Sequence, residues 1–289
     1  MKLIYIVGYN RSGTTLLSKL LSLQPHVITV GELLRLNSYI LNNKKCTCGS
    51  PIRHCHFWKQ IFDLMSKDIS NGVETRIRHS SPHRKISNTT AMLSAYCRTS
   101  MPLQVFYPDQ INIARNCMRI TNLAATISRA EIVVDCSKSA EHFLRLWLIR
   151  NTEVLPIYMV RDGRAVVNSV RRHGDGSIEK ASIGWVDSIK AMQRLQRITN
   201  QRGEYLFYED LCRAPDTVLN AMFGRHMEIR TLNLSLLEDV TSHSIGGGAF
   251  DTTKEIRIDE RWKNEMTRRD LDTFERIAGE TNGKLGYTD

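Results

Sequence analysis

The chain has 289 residues of ordinary globular composition, enough for one large α/β domain or two small ones. No apolar run approaches the length of a membrane span, and Met1-Lys2 leads straight into a strand pattern with no separate leader, so a soluble, cytoplasmic protein without a membrane span is expected. The formal charge of +10 favours anionic ligands, but the basic residues are dispersed, so no nucleic-acid partner is expected; seven cysteines, an odd number, argue against a complete disulfide framework.

The first predicted element is the apolar strand Leu3-Ile4-Tyr5-Ile6-Val7, ending at Gly8. A polar turn, Tyr9 to Ser12, runs to Gly13, and an apolar helical pattern begins at Thr14. Strand, glycine-bracketed loop and helix make a phosphate cradle, because loop N–H groups and the positive end of the helix converge on one spot. The spacing of Gly8 and Gly13 is that of a P-loop, yet Thr14 stands where the P-loop lysine belongs, and Arg11 is the loop's cation. The pattern therefore suits a phosphate that is neither a triphosphate nor bridged by metal. An ordinary turn with a glycine at each end is the alternative reading.

After the first helix, Gln24-Pro25-His26 breaks the pattern, Val27 to Val30 reads as a strand, and Gly31-Glu32 leads into the helical Leu33-Leu34-Arg35-Leu36. Glu32 thus sits at a strand-to-helix junction, as a reactive carboxylate or as a complement to the helix dipole. Cys46, Cys48 and Cys55, with His54 and His56 between Cys46 and Trp58, offer metal-ligand chemistry, a local disulfide or reduced thiols. Cys-x-Cys is tighter than the usual ligand gap, so no bound metal is expected. From Phe57 to Arg129 the period is helical, with breaks near Gly72, Ser80-Ser81-Pro82 and Met101-Pro102, and the basic residues Arg76, Arg78, Arg84, Lys85, Arg98, Arg115 and Arg119 are scattered over a solvated face. This insertion, about 42–130, is the natural lid and acceptor region.

Ile132 to Asp135 is a compact strand with Lys138 beyond its carboxyl end, placed for anion chemistry or as a surface lysine. Ile157 to Val160 forms the next strand, starting after Pro156, and delivers Arg161; Ser169 follows eight residues on, two turns into a helix, so both can reach one phosphate. Trp185 reads as core packing in a long amphipathic helix. Tyr205 to Tyr208 is the last strand, followed by Glu209-Asp210, and a glycine loop runs from His243 to Phe250 before Glu260-Arg261-Trp262-Lys263.

Arg11-Ser12-Gly13-Thr14-Thr15-Leu16-Leu17 with Pro25 and Gly31-Glu32, then Arg161 with Ser169, then Tyr208-Glu209-Asp210, resembles the sulfotransferases that use 3′-phosphoadenosine 5′-phosphosulfate (PAPS). The loop is most similar to those of bacterial and tyrosylprotein sulfotransferases, and short cysteine-rich insertions ending in tryptophan occur in some bacterial relatives. The resemblance implies a single 1–289 domain: a P-loop-like α/β three-layer sandwich, a parallel sheet flanked by helices with a helical insertion. It implies PAPS as cofactor, 3′-phosphoadenosine 5′-phosphate (PAP) as product, and no metal. Arg11, Ser12, Gly13, Thr14 and Thr15 would hold the 5′-phosphate, Arg161 and Ser169 the 3′-phosphate, and Tyr208 the adenine. Lys138 and Arg11 would neutralise charge at the reacting centre, and Glu32 would take the proton of a hydroxyl, less readily an amine, on a small-molecule, carbohydrate or peptide acceptor. The tyrosylprotein branch of that family carries two glutamates after the glycine where this chain has Glu32-Leu33, so His142 and His54 stand as substitute bases. Gly248-Ala249-Phe250 also departs from the family's polar closing loop, leaving Lys254 or Arg257 to serve there. The competing readings are a P-loop kinase or NTPase and an inactive nucleotide-binding module.

Overall fold

A computed structural model of the chain describes residues 1–69, 101, 105, 107–149, 153–199, 205–237, 243–246 and 256–288. The strands β1 (Lys2–Val7), β2 (Val27–Gly31), β3 (Ile132–Lys138), β4 (Glu153–Val160) and β5 (Tyr205–Phe207) make one sheet in the order β2-β3-β1-β4-β5, with every pairing parallel. Parallel neighbours need crossovers, and helices supply them: α1 (Thr14–Ser22), α2 (Leu36–Leu41), α3 (His56–Ile69), α4 (Pro108–Ser128), α5 (Ala140–Ile149), α6 (Gly163–Arg172), α7 (Ile178–Thr199), α8 (Tyr208–Arg213) and α9 (Pro215–Phe223).

Helices cover both faces of the sheet, which is why its strands read as unbroken apolar runs. Along β1 the side chains alternate: Leu3, Tyr5 and Val7 enter one core with Val133, Tyr158 and Val160, where α4, α5, α6 and α7 pack. Ile4 and Ile6 enter the other with Val134, Ile157 and Met159, against Leu16, Leu17 and Leu20 of α1 and Leu211 and Leu219 beyond β5. The expected three-layer α/β sandwich is therefore present, and Trp185 packs in its core beside Phe274. No helix among the described residues is long and apolar enough to cross a membrane.

Two local expectations change. β4 begins at Glu153 and includes Pro156, paired in register with Tyr5. Among the described residues β5 pairs with Tyr158, Met159 and Val160, and Pro156 lies two positions before that ladder begins. Leu33–Arg35 is a 3-10 turn before α2, with Glu32 leading into it. The expected breaks at Gly72, 80–82 and Pro102, the basic residues Arg76, Arg78, Arg84, Lys85 and Arg98, and the loop positions Gly247, Gly248, Ala249, Phe250 and Lys254 lie outside the described residues.

β3 and β4 flank β1 on opposite sides, so the order of strands reverses there. In open parallel sheets ligands bind in the crevice outside the carboxyl ends at such a point. All five carboxyl ends carry residues singled out from the sequence: the glycine loop after β1, Glu32 after β2, Lys138 ending β3, Arg161 after β4 and Tyr208 after β5.

Candidate functional site

The loop after β1 has the conformation of an anion cradle. Arg11 and Gly13 both have positive φ, 68° and 92°, an alternation of hand used by backbone anion sites, and the Ser12 N–H between them donates to the Tyr9 carbonyl at 3.3 Å. The left-handed state costs a non-glycine residue about 1–3 kcal/mol, which Arg11 bears. Gly13 is required twice over, by its φ and because a side chain there would run into the Tyr208 ring. α1 follows at once with no side-chain cap, so its first-turn N–H groups, which have no helical carbonyl to bond, face the loop. Ser12 and Thr14 are buried within the cradle, and Thr15 is partly exposed. The Arg11 guanidinium pairs with Asp175 at 3.1 Å at the rim, while its carbonyl accepts from Arg161 at 2.9 Å.

Glu32 and Lys138 meet. The Lys138 ammonium lies 2.6 Å from one Glu32 oxygen, Arg35 lies 3.4 Å from the other, and Glu32 and Lys138 are only 13% and 12% exposed. Lys138, too, is held at positive φ, 69°, and its carbonyl accepts the Gly8 N–H at 3.2 Å, which ties the pair to the loop. Glu32 stands at the N-cap position of the 3-10 turn without a side-chain capping bond to it. Its backbone is pinned instead: its N–H donates to the Ile245 carbonyl at 2.6 Å, and the Ile245 N–H donates to Val30 at 3.0 Å. Gly31, at φ 74°, permits this pairing, because a side chain there would strike the Ile245 backbone.

Asp135 is a buried support that sequence reading passed over as a strand residue. Its carboxylate accepts from the Ser137 N–H at 2.8 Å and hydroxyl at 2.5 Å, and Ser137 in turn accepts from the Leu34 N–H at 3.1 Å. Burial pushes the Asp135 carboxyl up to about 6. An acid closing the apolar run Ile132-Val133-Val134 was the available signal.

On the other side of β1, Arg161 is 5% exposed and donates to the carbonyls of Arg11 and Asp259, both at 2.9 Å. It pairs with the Asp259 carboxylate at 3.3 Å and lies 4.4 Å from the centre of the Tyr208 ring. Its Nε is buried without a hydrogen-bond partner among the described residues. The Asp259 carboxyl is held well below the usual range, first by hydrogen bonds from Arg261 and also by the Arg161 charge. The Tyr208 hydroxyl donates to the Arg257 carbonyl at 3.2 Å, and burial pushes that phenol up. Residues 257–261 therefore close over Arg161 and Tyr208, and Asp259 is a candidate that sequence reading passed over. Ser169 is buried on α6, two turns beyond Arg161. A cavity of about 730 Å³, bounded by Arg164, Phe207, Glu209, Trp262 and Tyr287, is lined in part by Asp259 and by no residue of the loop after β1.

Neither substitute base is at the crevice. His142 is fully buried on α5, its ring 5.9 Å from that of Tyr5 in the core, and His54 is exposed in the turn before α3.

Comparison with known proteins gives a consistent picture. The chain is similar along its whole length to the sulfotransferase domain of the Synechococcus PCC 7002 olefin synthase, at 18% identity and a TM-score of 0.55, covering 96% of that chain. Sulfotransferase STF9 from Mycobacterium avium aligns with 98% of the chain and 76% of its own length, at 14% identity and a TM-score of 0.49. No curated protein matches in sequence. The first likeness establishes the fold, and the sequence profile described as "Sulfotransferase family" matches residues 4–226, from β1 to just past α9. The chain therefore belongs to the sulfotransferase family, whose chemistry is sulfuryl transfer.

Proposed function

We propose that the chain transfers a sulfuryl group from PAPS to a hydroxyl acceptor and releases PAP. The observation that carries this reading is the Glu32–Lys138 pair, 2.6 Å apart, hydrogen-bonded through Lys138 to a phosphate cradle that has no P-loop lysine. A base and a cation side by side at an anion site suit attack by a hydroxyl on an anionic centre.

The residues fit a nucleotide with phosphates at both ends. The loop N–H groups and the start of α1 suit the 5′-phosphate. Arg161 suits the 3′-phosphate, since its guanidinium already carries an oxyanion, the Asp259 carboxylate, and keeps a buried Nε without a partner among the described residues. Ser169 would add a hydroxyl from α6, and Tyr208, wedged between Gly13 and Arg161, would border the adenine. Bound there, PAPS supplies a sulfuryl group whose bond to the 5′-phosphate oxygen breaks, with its electron pair, as the acceptor oxygen bonds to sulfur.

Glu32 takes the proton that the acceptor hydroxyl loses. An ammonium in contact with a carboxylate opposes that uptake, so Lys138 turns from Glu32 toward the charge growing on the phosphate side, and one movement serves both groups. Arg35 remains on the second Glu32 oxygen and holds the carboxylate in place. The Lys138 backbone, at φ 69° and bonded through its carbonyl to the Gly8 N–H, keeps the root of that side chain beside the loop, so only the side chain need move.

Incubation with radiosulfur-labelled PAPS and panels of carbohydrate, phenolic and peptide acceptors tests the reading. Label in a product together with PAP release is expected. Phosphoryl transfer from ATP to the same panel, with no sulfur label transferred, would replace it with the kinase reading.

A further inference from the structure

The cysteine-rich insertion, which the nucleotide chemistry does not use, gains a partner from the far end of the chain. Lys44 to Ile52 form a short hairpin, in which the Ile52 N–H donates to Lys44, Cys46 donates to Ser50 and Gly49 donates to Cys46, all at 2.9 Å. Cys46 and Cys48 sit at its tip and Cys55 lies just before α3. His243 reaches them from 188 positions beyond Cys55, with its Nδ1 3.2 Å from the Cys55 sulfur, and the Cys48 and Cys55 sulfurs are 3.6 Å apart. One ligand atom from each of Cys46, Cys48, Cys55 and His243 lies within 4.8 Å of all the others.

We infer that these four residues hold one zinc ion in a closed, structural site. Zinc bonds of about 2.3 Å to sulfur and about 2.0–2.1 Å to nitrogen place tetrahedral ligand atoms about 3.5–3.8 Å apart, close to the separations found here. Three thiols lose their protons to solvent as the ion binds, and no fourth position is left open for water or substrate. A disulfide is a poorer fit: joining Cys48 to Cys55 would bring sulfurs from 3.6 Å to about 2.05 Å and strand Cys46 and His243.

The surroundings are those of a fixed ligand set. The Phe57 ring stacks on His243 at 5.1 Å between centres, and the Trp58 indole donates to the His243 carbonyl at 2.7 Å, so ring and backbone are both oriented. Cys46 and Cys55 are buried, at 3% and 1% exposure. A zinc ion here would run against the expectation of no bound metal. Cys-x-Cys spacing considers only neighbours in the chain, whereas the fourth ligand comes from His243.

The site would be a clasp. Ser244 exchanges hydrogen bonds with Thr47, and Ile245 continues onto the end of β2, where its carbonyl holds the Glu32 N–H. The ion thereby joins the hairpin and segment 243–246 directly beneath Glu32. This assignment rests on the cluster alone and stands whatever reaction Glu32 serves.

Elemental analysis of the full chain, purified without chelator, should find about one zinc per chain, and Cys48→Ser and His243→Ala should each lose most of it. Should those variants fail to fold, the wild-type chain grown with cobalt should show thiolate-to-cobalt charge transfer and the intense visible bands of tetrahedral coordination. Releasing zinc with a mercurial should speed hydrogen exchange at the Glu32 and Ile245 amides at least tenfold. Reduced thiols without stoichiometric metal, or a Cys48–Cys55 disulfide found by mass spectrometry, would overturn the site. Unchanged exchange after release would overturn the clasp.

Discussion

Removing Glu32 and Lys138 singly and together separates chemistry from architecture. At 2.6 Å and an effective dielectric constant of about 20, their gross attraction is about 6 kcal/mol, much of it offset by lost hydration. Glu32→Gln keeps the shape and a hydrogen-bond acceptor but leaves Lys138 unpaired, costing about 1.5–3 kcal/mol, the worth of a hydrogen bond to a charged group. With an unfolding entropy of about 2.1 cal/mol/K per residue, that lowers the melting temperature by about 2–5 °C. Turnover should fall far more, about 10²- to 10⁴-fold, or about 2.7–5.5 kcal/mol of barrier. Adding Lys138→Met removes the stranded charge, and methionine at φ 69° is no more strained than lysine, so the double variant should regain most of the lost stability. Its single-turnover rate, measured at saturating donor and read beside scanning calorimetry, should stay low. Recovery of rate and stability together would show the pair to be a structural bridge and refute its chemical role.

Arg161→Ala or Ser169→Ala should each weaken PAP binding about 10- to 150-fold, from the loss of one charge-assisted hydrogen bond, while binding of an analogue without the 3′-phosphate changes little; equal losses for both ligands would make the two residues structural. Because Asp259 occupies the Arg161 guanidinium, Asp259→Asn should tighten PAP binding several-fold by calorimetry, and a weaker complex would mean that Asp259 does not compete with the ligand. The Asp135 carboxyl, at about 6 in the fold against 3.8 in the free chain, keeps its proton where the unfolded chain has lost it, so its contribution is complete below about pH 4 and is lost as pH rises to about 6. Two units are about 3 kcal/mol, and Asp135→Asn should flatten the stability profile over that window, as chemical denaturation at successive pH values will record.

The strands and the first loop were legible because each is a local pattern: an apolar run ending in glycine, with helical period resuming six residues later. Arg161 and Tyr208 were legible for the same reason, each lying at the end of an apolar strand. Pro156 marked a strand start in the sequence, yet β4 runs through it, paired with Tyr5 of β1, because pairing is decided by neighbouring strands that a local pattern does not name. What stayed hidden depends on distant segments folding together. Asp259 reaches Arg161 across 98 positions and Ile245 meets Glu32 through backbone groups that carry no signature in sequence. His243 was read as part of a glycine loop, since nothing near it names a cysteine cluster. Arg11 was assigned by type, and only the fold shows that Asp175 engages its guanidinium at the rim.

We propose that the cradle takes a 3′-phosphorylated nucleotide without a bridging metal, as expected where Thr14 replaces the P-loop lysine. Isothermal titration with PAP in buffer free of magnesium, set against ATP with magnesium, decides between the two nucleotides. Tight, stoichiometric binding of PAP with weak or absent binding of Mg-ATP is the predicted result. Preferential binding of Mg-ATP would contradict it and make the loop a nucleotide triphosphate site.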